Sequence, residues 1–270
     1  MSDKLSVALI GAGSMGGSLL KGWLAKRVVD PARCYVFDPG ISPELKTLCD
    51  QHDVACNPPL DVADADYVVL AIKPQMAEAV LPTFEALAVD AIAVSVMAGT
   101  SVATIRSLLG ENVKIVRAMP NLPSAVGAGM TGIFAEPAIG QEKRKEVCRL
   151  FEAVGAAAEL SSEKEVDFVT AISGSGPAYY FQFTEALEAA ARELGLAHDV
   201  SRALARATLI GAGEMAKWDE REIAAMREAV TSPGGTTEAA LKVFQKGDQL
   251  AVLMEKAVLA AAKKASELAS

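Results

Sequence analysis

The chain has 270 residues, 51% of them hydrophobic, and a formal net charge of −8 at pH 7, so it can bury a large core in one or two domains. An acidic chain without a Lys/Arg run is a poor partner for nucleic acid. The longest uncharged stretch, residues 118–135, is interrupted by prolines and glycines, and the apolar start is too short for a secretory signal, so we expect a cytoplasmic protein that is not anchored in a membrane.

Short runs rich in β-branched residues alternate with amphipathic stretches as far as Leu160. The runs that predict strands are residues 7–10, 34–37, 67–72, 91–96 and 113–116. The stretches that predict helices lie around residues 19–26, 43–51, 76–87 and 102–109. Continuous apolar strands are buried on both faces, and their alternation with helices predicts an α/β fold with a Rossmann-like, mostly parallel sheet.

From Ser162 onward the sequence becomes alanine-rich and helical, beginning at a capping-box-like pair of Ser162 and Glu165. We therefore predict a Rossmann-like domain over residues 1–161 and an all-α domain over residues 162–270. Residues 178–194 are apolar on nearly every side, which favours an oligomer interface. A central helix of a monomeric bundle is the alternative.

A glycine pattern follows the first predicted strand directly and precedes a helix. In this context it predicts a dinucleotide-binding loop: Gly11 permits the tight turn, Gly13 lets the backbone approach the pyrophosphate, and Gly16 allows close packing. A glycine-rich turn without a ligand is the alternative. The residues expected to contact the cofactor here are Gly11, Ala12, Gly13, Ser14, Met15 and Gly16.

Asp38 ends the second predicted strand, where a carboxylate can bind the adenosine ribose hydroxyls. Residues 39–43 contain no Arg or Lys for a 2′-phosphate, which favours NADH over NADPH. Asp38 is also suited to begin an Asp-Pro-Gly turn, so the cofactor preference stays open.

Two further loops end predicted strands and should lie at the same edge of the sheet. We expect them to bracket the ribose and the nicotinamide, although Lys73 is equally consistent with a solvated loop lysine. Their residues are Ala71, Ile72, Lys73, Pro74, Ala98 and Gly99.

Cysteine and histidine spacing predicts no metal site. The cysteines lack CxxC spacing and the two histidines lie far apart, so we expect reduced thiols and no bound metal.

Three apolar stretches rich in glycine, proline or both lie at residues 119–123, 173–179 and 232–237. With the Gly11 loop, they make nearly the whole chain resemble the pyrroline-5-carboxylate reductases, and Ser-Pro-Gly-Gly-Thr-Thr at 232–237 is distinctive of that family. The resemblance implies hydride transfer from NADPH or NADH to L-1-pyrroline-5-carboxylate, giving L-proline in the last step of proline biosynthesis. It also implies homodimers that assemble into a homodecamer. One departure is Leu122, where relatives usually have threonine.

Residues 232–237 read as a glycine loop before a helix, with hydroxyls and unpaired amides converging. Such a nest can hold a carboxylate without a cation, while a simple N-cap and turn is the alternative. The resemblance implies that the substrate carboxylate binds Ser232, Gly235, Thr236 and Thr237. It also places the Thr237 hydroxyl near the ring nitrogen, as the catalytic group.

The resemblance implies further contacts. On the cofactor side these are Asn57, Met119 and Pro120, and on the substrate side Asn121 and Glu220. In residues 173–177, Pro177 also suits the first turn of a helix.

Two other functions fit parts of the sequence. The 3-hydroxyacid dehydrogenases related to 6-phosphogluconate dehydrogenase need an acid/base lysine after a glycine motif, but residues 177–186 contain no lysine. A non-catalytic dinucleotide sensor would keep the Gly11 loop and need no carboxylate nest.

Overall fold

The computed structural model describes residues 4–269, and in them eight strands form one sheet. The strand order is β3-β2-β1-β4-β5-β6-β7-β8, with parallel neighbours except for the antiparallel pair β6 and β7. The strands are β1 (Leu5–Ile10), β2 (Val29–Phe37), β3 (Ala55–Cys56), β4 (Tyr67–Leu70), β5 (Ile92–Ser95), β6 (Lys114–Met119), β7 (Gly129–Ala135) and β8 (Gly155–Glu159). The predicted α/β class with a mostly parallel sheet is confirmed.

Three of these strands were not predicted, and each lacks the usual pattern. β3 has two residues, β7 is interrupted by two glycines, and β8 is built largely from glycine and alanine, which are depleted in strands. β7 and β8 need small residues because an ideal Cβ on Gly155 would overlap the backbone of Gly129.

Helices cover both faces of the sheet. They are α1 (Ser14–Lys26), α2 (Pro43–Gln51), α3 (Ala77–Val80), α4 (Glu85–Ala88), α5 (Val102–Leu109), α6 (Gln141–Glu152) and α7 (Glu165–Val169). The single helix predicted over residues 76–87 is wrong: a 3-10 turn, Leu81–Phe84, separates α3 from α4. Pro82 lies in this turn and cannot donate the backbone hydrogen bond that a continuous helix requires.

Two apolar layers fill the space between the sheet and the helices, one on each face of the sheet. On one face, alternate β1 residues pack with Trp23 of α1 and Phe151 of α6, and the Trp23 indole donates to the Leu150 carbonyl at 2.7 Å. On the other face, Ile10 packs with residues of α3 to α5. Both layers have fully buried side chains, as continuous apolar strands predict.

The helical region begins at α7. The Glu165 carboxylate accepts a hydrogen bond from the Ser161 amide at 2.9 Å, while the Glu165 amide donates to the Ser162 carbonyl at 3.2 Å. The predicted capping pair of Ser162 and Glu165 is wrong: α7 begins at Glu165 with Lys164 as its N-cap, so Glu165 is not at the third helical position and its carboxylate binds the Ser161 amide instead. The remaining helices are α8 (Gly176–Glu193), α9 (His198–Trp218), α10 (Ile223–Ala229), α11 (Thr236–Gln245) and α12 (Gln249–Ala269).

The chain divides into two compact units. The first runs to Ser175 and resumes at Ala261, so it includes the end of α12, and the second is Gly176–Ala260. Within the first unit, the Ser266 hydroxyl of α12 lies 3.2 Å from an Asp167 carboxylate oxygen. The domain division after residue 161 stays a prediction. No helix within residues 4–269 has the length and apolar character needed to cross a membrane.

Candidate functional site

The register of the sheet aligns the carboxyl ends of three strands. Ile10 at the end of β1 pairs with Phe37 of β2 and with Leu70 of β4. The next residues, Gly11, Asp38 and Ala71, therefore leave the sheet at one edge. This edge lies where the chain reverses its order across the sheet, the usual ligand position in open α/β folds.

The glycine loop is held by its own backbone. The Gly11 amide donates to the Phe37 carbonyl at 2.8 Å, and Gly11 has φ +92°, a conformation that favours glycine. An ideal Cβ on Gly11 would lie 2.7 Å from the Ala71 carbonyl oxygen, and one on Gly16 would overlap the Gly11 carbonyl. Both glycines are therefore required for packing within the protein.

Gly13 differs from the other two glycines of the loop. It is exposed, and an ideal Cβ on it would meet no atom within 4 Å. Gly13 is the N-cap of α1, with no side-chain cap and no acidic residue in the first turn. The start of α1 therefore has space beside Gly13 and no side-chain cap, which fits a pyrophosphate.

Asp38 ties the glycine loop to the turn that follows β2. One carboxylate oxygen accepts from the Ala12 amide and the other from the Gly40 amide, each at 2.7 Å. The turn-forming role considered from the sequence is present, together with a contact to the loop. Each carboxylate oxygen keeps a second acceptor position for a ribose hydroxyl.

Asn57 fixes Asp38 from the other side. Its side-chain oxygen accepts from the Asp38 amide and its side-chain nitrogen donates to the Asp38 carbonyl, both at 2.9 Å. The Asn57 amide also donates to the Val36 carbonyl at 2.7 Å. The side chain of Asn57 therefore continues the pairing of β2 beyond the two-residue strand β3.

The two loops after β4 and β5 lie at the same edge. The Ala71 amide donates to the Ile10 carbonyl at 2.8 Å, and Lys73 is exposed at the start of a short 3-10 turn. Gly99 packs on the end of α12, since an ideal Cβ there would lie 2.8 Å from the Leu268 carbonyl oxygen. The sequence gives no sign of this contact, because its partners are far apart in the chain.

Asn121, which is 8% exposed, connects two of the three stretches singled out in the sequence, residues 119–123 and 173–179. Its side-chain oxygen accepts from the Met130 amide at 2.9 Å, and its side-chain nitrogen donates to the Ser173 carbonyl at 3.0 Å. Pro177 has no N–H, so it cannot donate to Ser173 four residues earlier, and that carbonyl is available to Asn121. One amide hydrogen of Asn121 remains for a ligand.

The stretch around Ser173 is helical in an unusual way. Residues Thr170–Gly174 form a π-helical turn, and the Ser175 amide donates to the Thr170 carbonyl at 2.8 Å. Such turns occur frequently at functional sites. An ideal Cβ on Gly174 would lie 3.1 Å from the Met119 methyl carbon, so residues 119–123 and 173–175 are in contact. Leu122 is 61% exposed, so its replacement of threonine removes no buried hydroxyl.

Residues 232–235 form a tight turn, and α11 begins directly after it at Thr236. The Gly235 amide donates to the Ser232 carbonyl at 2.9 Å, and Gly234 has φ +73°. Pro233 followed by a left-handed glycine is the sequence of a type II turn. Because the Gly235 amide is used within this turn, the amides of the first three helical residues, Thr236, Thr237 and Glu238, are the ones that lack intrahelical partners.

Glu238, in the first turn of α11, contacts this turn and was missed by sequence reasoning. Its carboxylate accepts from the Gly234 amide at 2.6 Å and pairs with Lys242 at 2.9 Å. The Lys242 hydrogen bond, followed by the Gly234 amide, lowers the pKa of Glu238. A glutamate at the third helical position is a known capping signal and would have indicated this contact.

Glu220 lies in the exposed turn after α9. Its neighbour Asp219 accepts hydrogen bonds from the Arg221 side chain and amide, which lower the pKa of Asp219 to about 2. Glu220 is therefore beside a fixed ion pair and is itself exposed to solvent.

The cysteines are free, and burial is the main reason that the pKa of Cys34 and that of Cys49 are raised to about 12. Thiols of such high pKa are poor nucleophiles and poor metal ligands.

Both halves of the chain match known protein families. Residues 163–268 match the family described as pyrroline-5-carboxylate reductase dimerisation. Residues 6–99 match the family described as NADP oxidoreductase coenzyme F420-dependent.

Curated relatives and solved structures match over almost the full length. The chain is 39% identical over 265 residues to pyrroline-5-carboxylate reductase of Pseudomonas aeruginosa, covering 97% of this chain and 96% of that one. The Vibrio alginolyticus enzyme is 34% identical over 268 residues, 97% of each chain. A structure of the Coxiella burnetii reductase has a TM-score of 0.91 at 35% identity, covering 99% of this chain and 100% of the other. The Plasmodium falciparum reductase with NADP bound has a TM-score of 0.80 at 26% identity, covering 98% of each chain.

Proposed function

The chain belongs to the pyrroline-5-carboxylate reductase family, and we propose that it reduces L-1-pyrroline-5-carboxylate with NADPH or NADH, forming L-proline in the last step of proline biosynthesis. The observation that carries the proposal is the pair of helix N-termini, those of α1 and α11, that each have a glycine N-cap and no side-chain cap hydrogen bond. One follows the glycine loop at Gly13, and the other follows the turn at Gly235. Each suits one anion of the reaction, the cofactor pyrophosphate and the substrate carboxylate.

The proposed cofactor contacts follow the carboxyl edge of the sheet. The amides at the start of α1 bind the pyrophosphate, and Asp38 accepts from the adenosine ribose while Asn57 holds it in place. The loops after β4, β5 and β6 bracket the ribose and nicotinamide. The full set is Gly11, Ala12, Gly13, Ser14, Met15, Gly16, Asp38, Asn57, Ala71, Ile72, Lys73, Pro74, Ala98, Gly99, Met119 and Pro120.

The substrate carboxylate is proposed to bind at the start of α11. The free amides of Thr236 and Thr237 and the Ser232 hydroxyl donate to it, and Gly235 shapes the turn through its bond to Ser232. Asn121 contributes by holding the Ser173 carbonyl and by its remaining amide hydrogen. Glu220 completes the proposed substrate contacts.

The bound nicotinamide supplies the hydride that reduces C5 of the imine. An imine can bind already protonated, so the protein needs to orient its nitrogen more than to donate a proton. The Thr237 hydroxyl is the proposed group for this, because its own helix amide holds the substrate carboxylate nearby. Lys242, on the same helix, is paired with Glu238 and is not needed as an acid.

The test is to replace Thr237 with alanine. We expect Thr237→Ala to bind the cofactor normally and to lose about 10²-fold or more in kcat/KM for the imine, measured by the decay of NAD(P)H absorbance. Thr236→Ala is the matched control, because it removes a neighbouring hydroxyl and keeps the amide. Unchanged kinetics in Thr237→Ala would remove this residue from the mechanism.

A non-catalytic sensor is distinguished by the same assay. Tight binding of both cofactors, without turnover on addition of pyrroline-5-carboxylate, would favour the sensor and overturn the proposed reaction.

The chain carries the dimerisation region of its family, and we propose a cytoplasmic homodimer that assembles into a homodecamer. Helix α8 supports this assembly, because Gly176 is its only buried residue although its sequence is largely apolar. Sedimentation velocity with wild-type protein tests the assembly: a stable monomer would contradict it.

A further inference from the structure

The turn that begins α11 depends on a side chain from inside the helix. In a turn of this kind the amide of the left-handed glycine is not used by the turn's own hydrogen bond, which runs from Gly235 to Ser232. The Glu238 carboxylate accepts that amide, the N–H of Gly234, at 2.6 Å. Gly234 is exposed and has open space around it, so this bond is its main restraint.

The same carboxylate introduces a charge conflict. Glu238 lies in the first turn of α11, at the helix end where the substrate carboxylate is proposed to bind. Two carboxylates at one helix end repel each other. Lys242, one turn further along, contacts Glu238 at 2.9 Å and supplies the opposite charge.

We propose that Glu238 is a positioning residue that holds the carboxylate-binding turn through the Gly234 amide, and that Lys242 neutralises it so that the substrate carboxylate can bind beside it. This inference rests on the proposed function. It assigns roles to two residues outside the family motif at 232–237.

The first test separates the hydrogen bond of Glu238 from its charge. Glu238→Gln keeps an acceptor for the Gly234 amide, whereas Glu238→Ala removes it. We expect KM for pyrroline-5-carboxylate to be about fivefold higher in Glu238→Ala than in Glu238→Gln, because one hydrogen bond to the turn is lost. In both variants kcat and KM for NADPH should stay within about twofold of the wild-type values. Equal KM values for the imine in the two variants would overturn the positioning role.

The second test concerns the neutralising charge. Lys242→Met leaves Glu238 charged and unpaired, so KM for the imine should rise about two- to fivefold while kcat is retained. Lys263→Met is the matched control, since Lys263 forms another exposed pair of the same spacing, with Glu267 at 4.0 Å, on α12. An unchanged KM in Lys242→Met, or the same rise in the control, would overturn the neutralising role.

These outcomes are distinct from a failure of the proposed function. If wild-type protein does not oxidise NADPH or NADH with pyrroline-5-carboxylate, the reaction itself is wrong. If wild-type protein is active and the KM values of the variants for pyrroline-5-carboxylate do not differ as described, only the roles of Glu238 and Lys242 are wrong.

Discussion

At the scale of single residues, Asp38 joins the glycine loop to the turn after β2, at the edge where the cofactor is proposed to bind. Its two oxygens hold Ala12 in the glycine loop and Gly40 in the following turn, and Asn57 fixes its backbone on both sides. The carboxylate is therefore already oriented before a cofactor binds. A 2′-phosphate placed against it would face a like charge that a ribose hydroxyl does not.

Replacement of Asp38 should consequently change the affinities for NADH and NADPH to different extents. In Asp38→Ala we expect the Kd for NADH to rise about tenfold or more, because a hydrogen bond to a charged acceptor is lost. The Kd for NADPH should rise less, since loss of the negative charge offsets the loss of loop order. Fluorescence titration with both cofactors measures this. Equal losses would mean that Asp38 only shapes the loop.

At the scale of elements, the glycines of the strand-turn-helix unit β1-α1 differ in the space around them. Gly16 lies against the Gly11 carbonyl, so its small size serves packing within the protein. Gly13 faces open space, so packing within the protein does not require its small size, in line with the proposed approach of the pyrophosphate to its backbone. The sequence pattern does not distinguish Gly13 from Gly16, whereas the atoms around each glycine in the structure do.

Alanine substitutions should reveal this difference. We expect Gly16→Ala to lower the free energy of unfolding by about 1–3 kcal/mol through overpacking, and to weaken cofactor binding as well. Gly13→Ala should unfold at about the wild-type temperature while its cofactor Kd rises about tenfold or more, because the methyl group meets the pyrophosphate. Thermal unfolding and cofactor titration of both variants give the comparison. A large loss of stability in Gly13→Ala would contradict the assignment.

At the scale of the whole molecule, the helices from α8 onward leave much apolar surface uncovered in one chain. Exposed residues here include Ile210, Val243, Phe244, Leu253 and Leu259, each more than two-fifths exposed. Exposed large apolar side chains in this number are typical of an interface between subunits.

A charge placed on this surface should weaken the assembly. In Leu253→Asp, whose side chain is 65% exposed in the single chain, we expect sedimentation velocity to show smaller species at micromolar concentration, with lower activity per subunit. Val89→Asp is the matched control, because Val89 is 55% exposed in the sheet-containing unit. Unchanged sedimentation of Leu253→Asp would place Leu253 outside the interface.

The sequence was informative wherever the signal is local. Continuous apolar runs predicted β1, β4 and β5, and helix α5 was predicted with its observed bounds, because Ser101 caps its start and Gly110 ends it. The broken helix at Pro82 and the strands β7 and β8 were missed. The helix is broken by Pro82 itself, whereas β7 and β8 depend on close approach between backbones, as at Gly155 and Gly129, which composition does not reveal.

For the candidate site, the sequence by itself determined the residue types and motifs: the glycine loop, the acidic residue after β2, and the Ser-Pro-Gly-Gly-Thr-Thr segment that carries the family resemblance. Only the tertiary structure decided how they are held. It alone gives the bonds of Asp38 to Ala12 and of Asn121 to Ser173, because their partners lie 26 and 52 residues apart in the chain. Hydrogen bonds over such separations depend on how distant segments pack together, so no local sequence pattern predicts them.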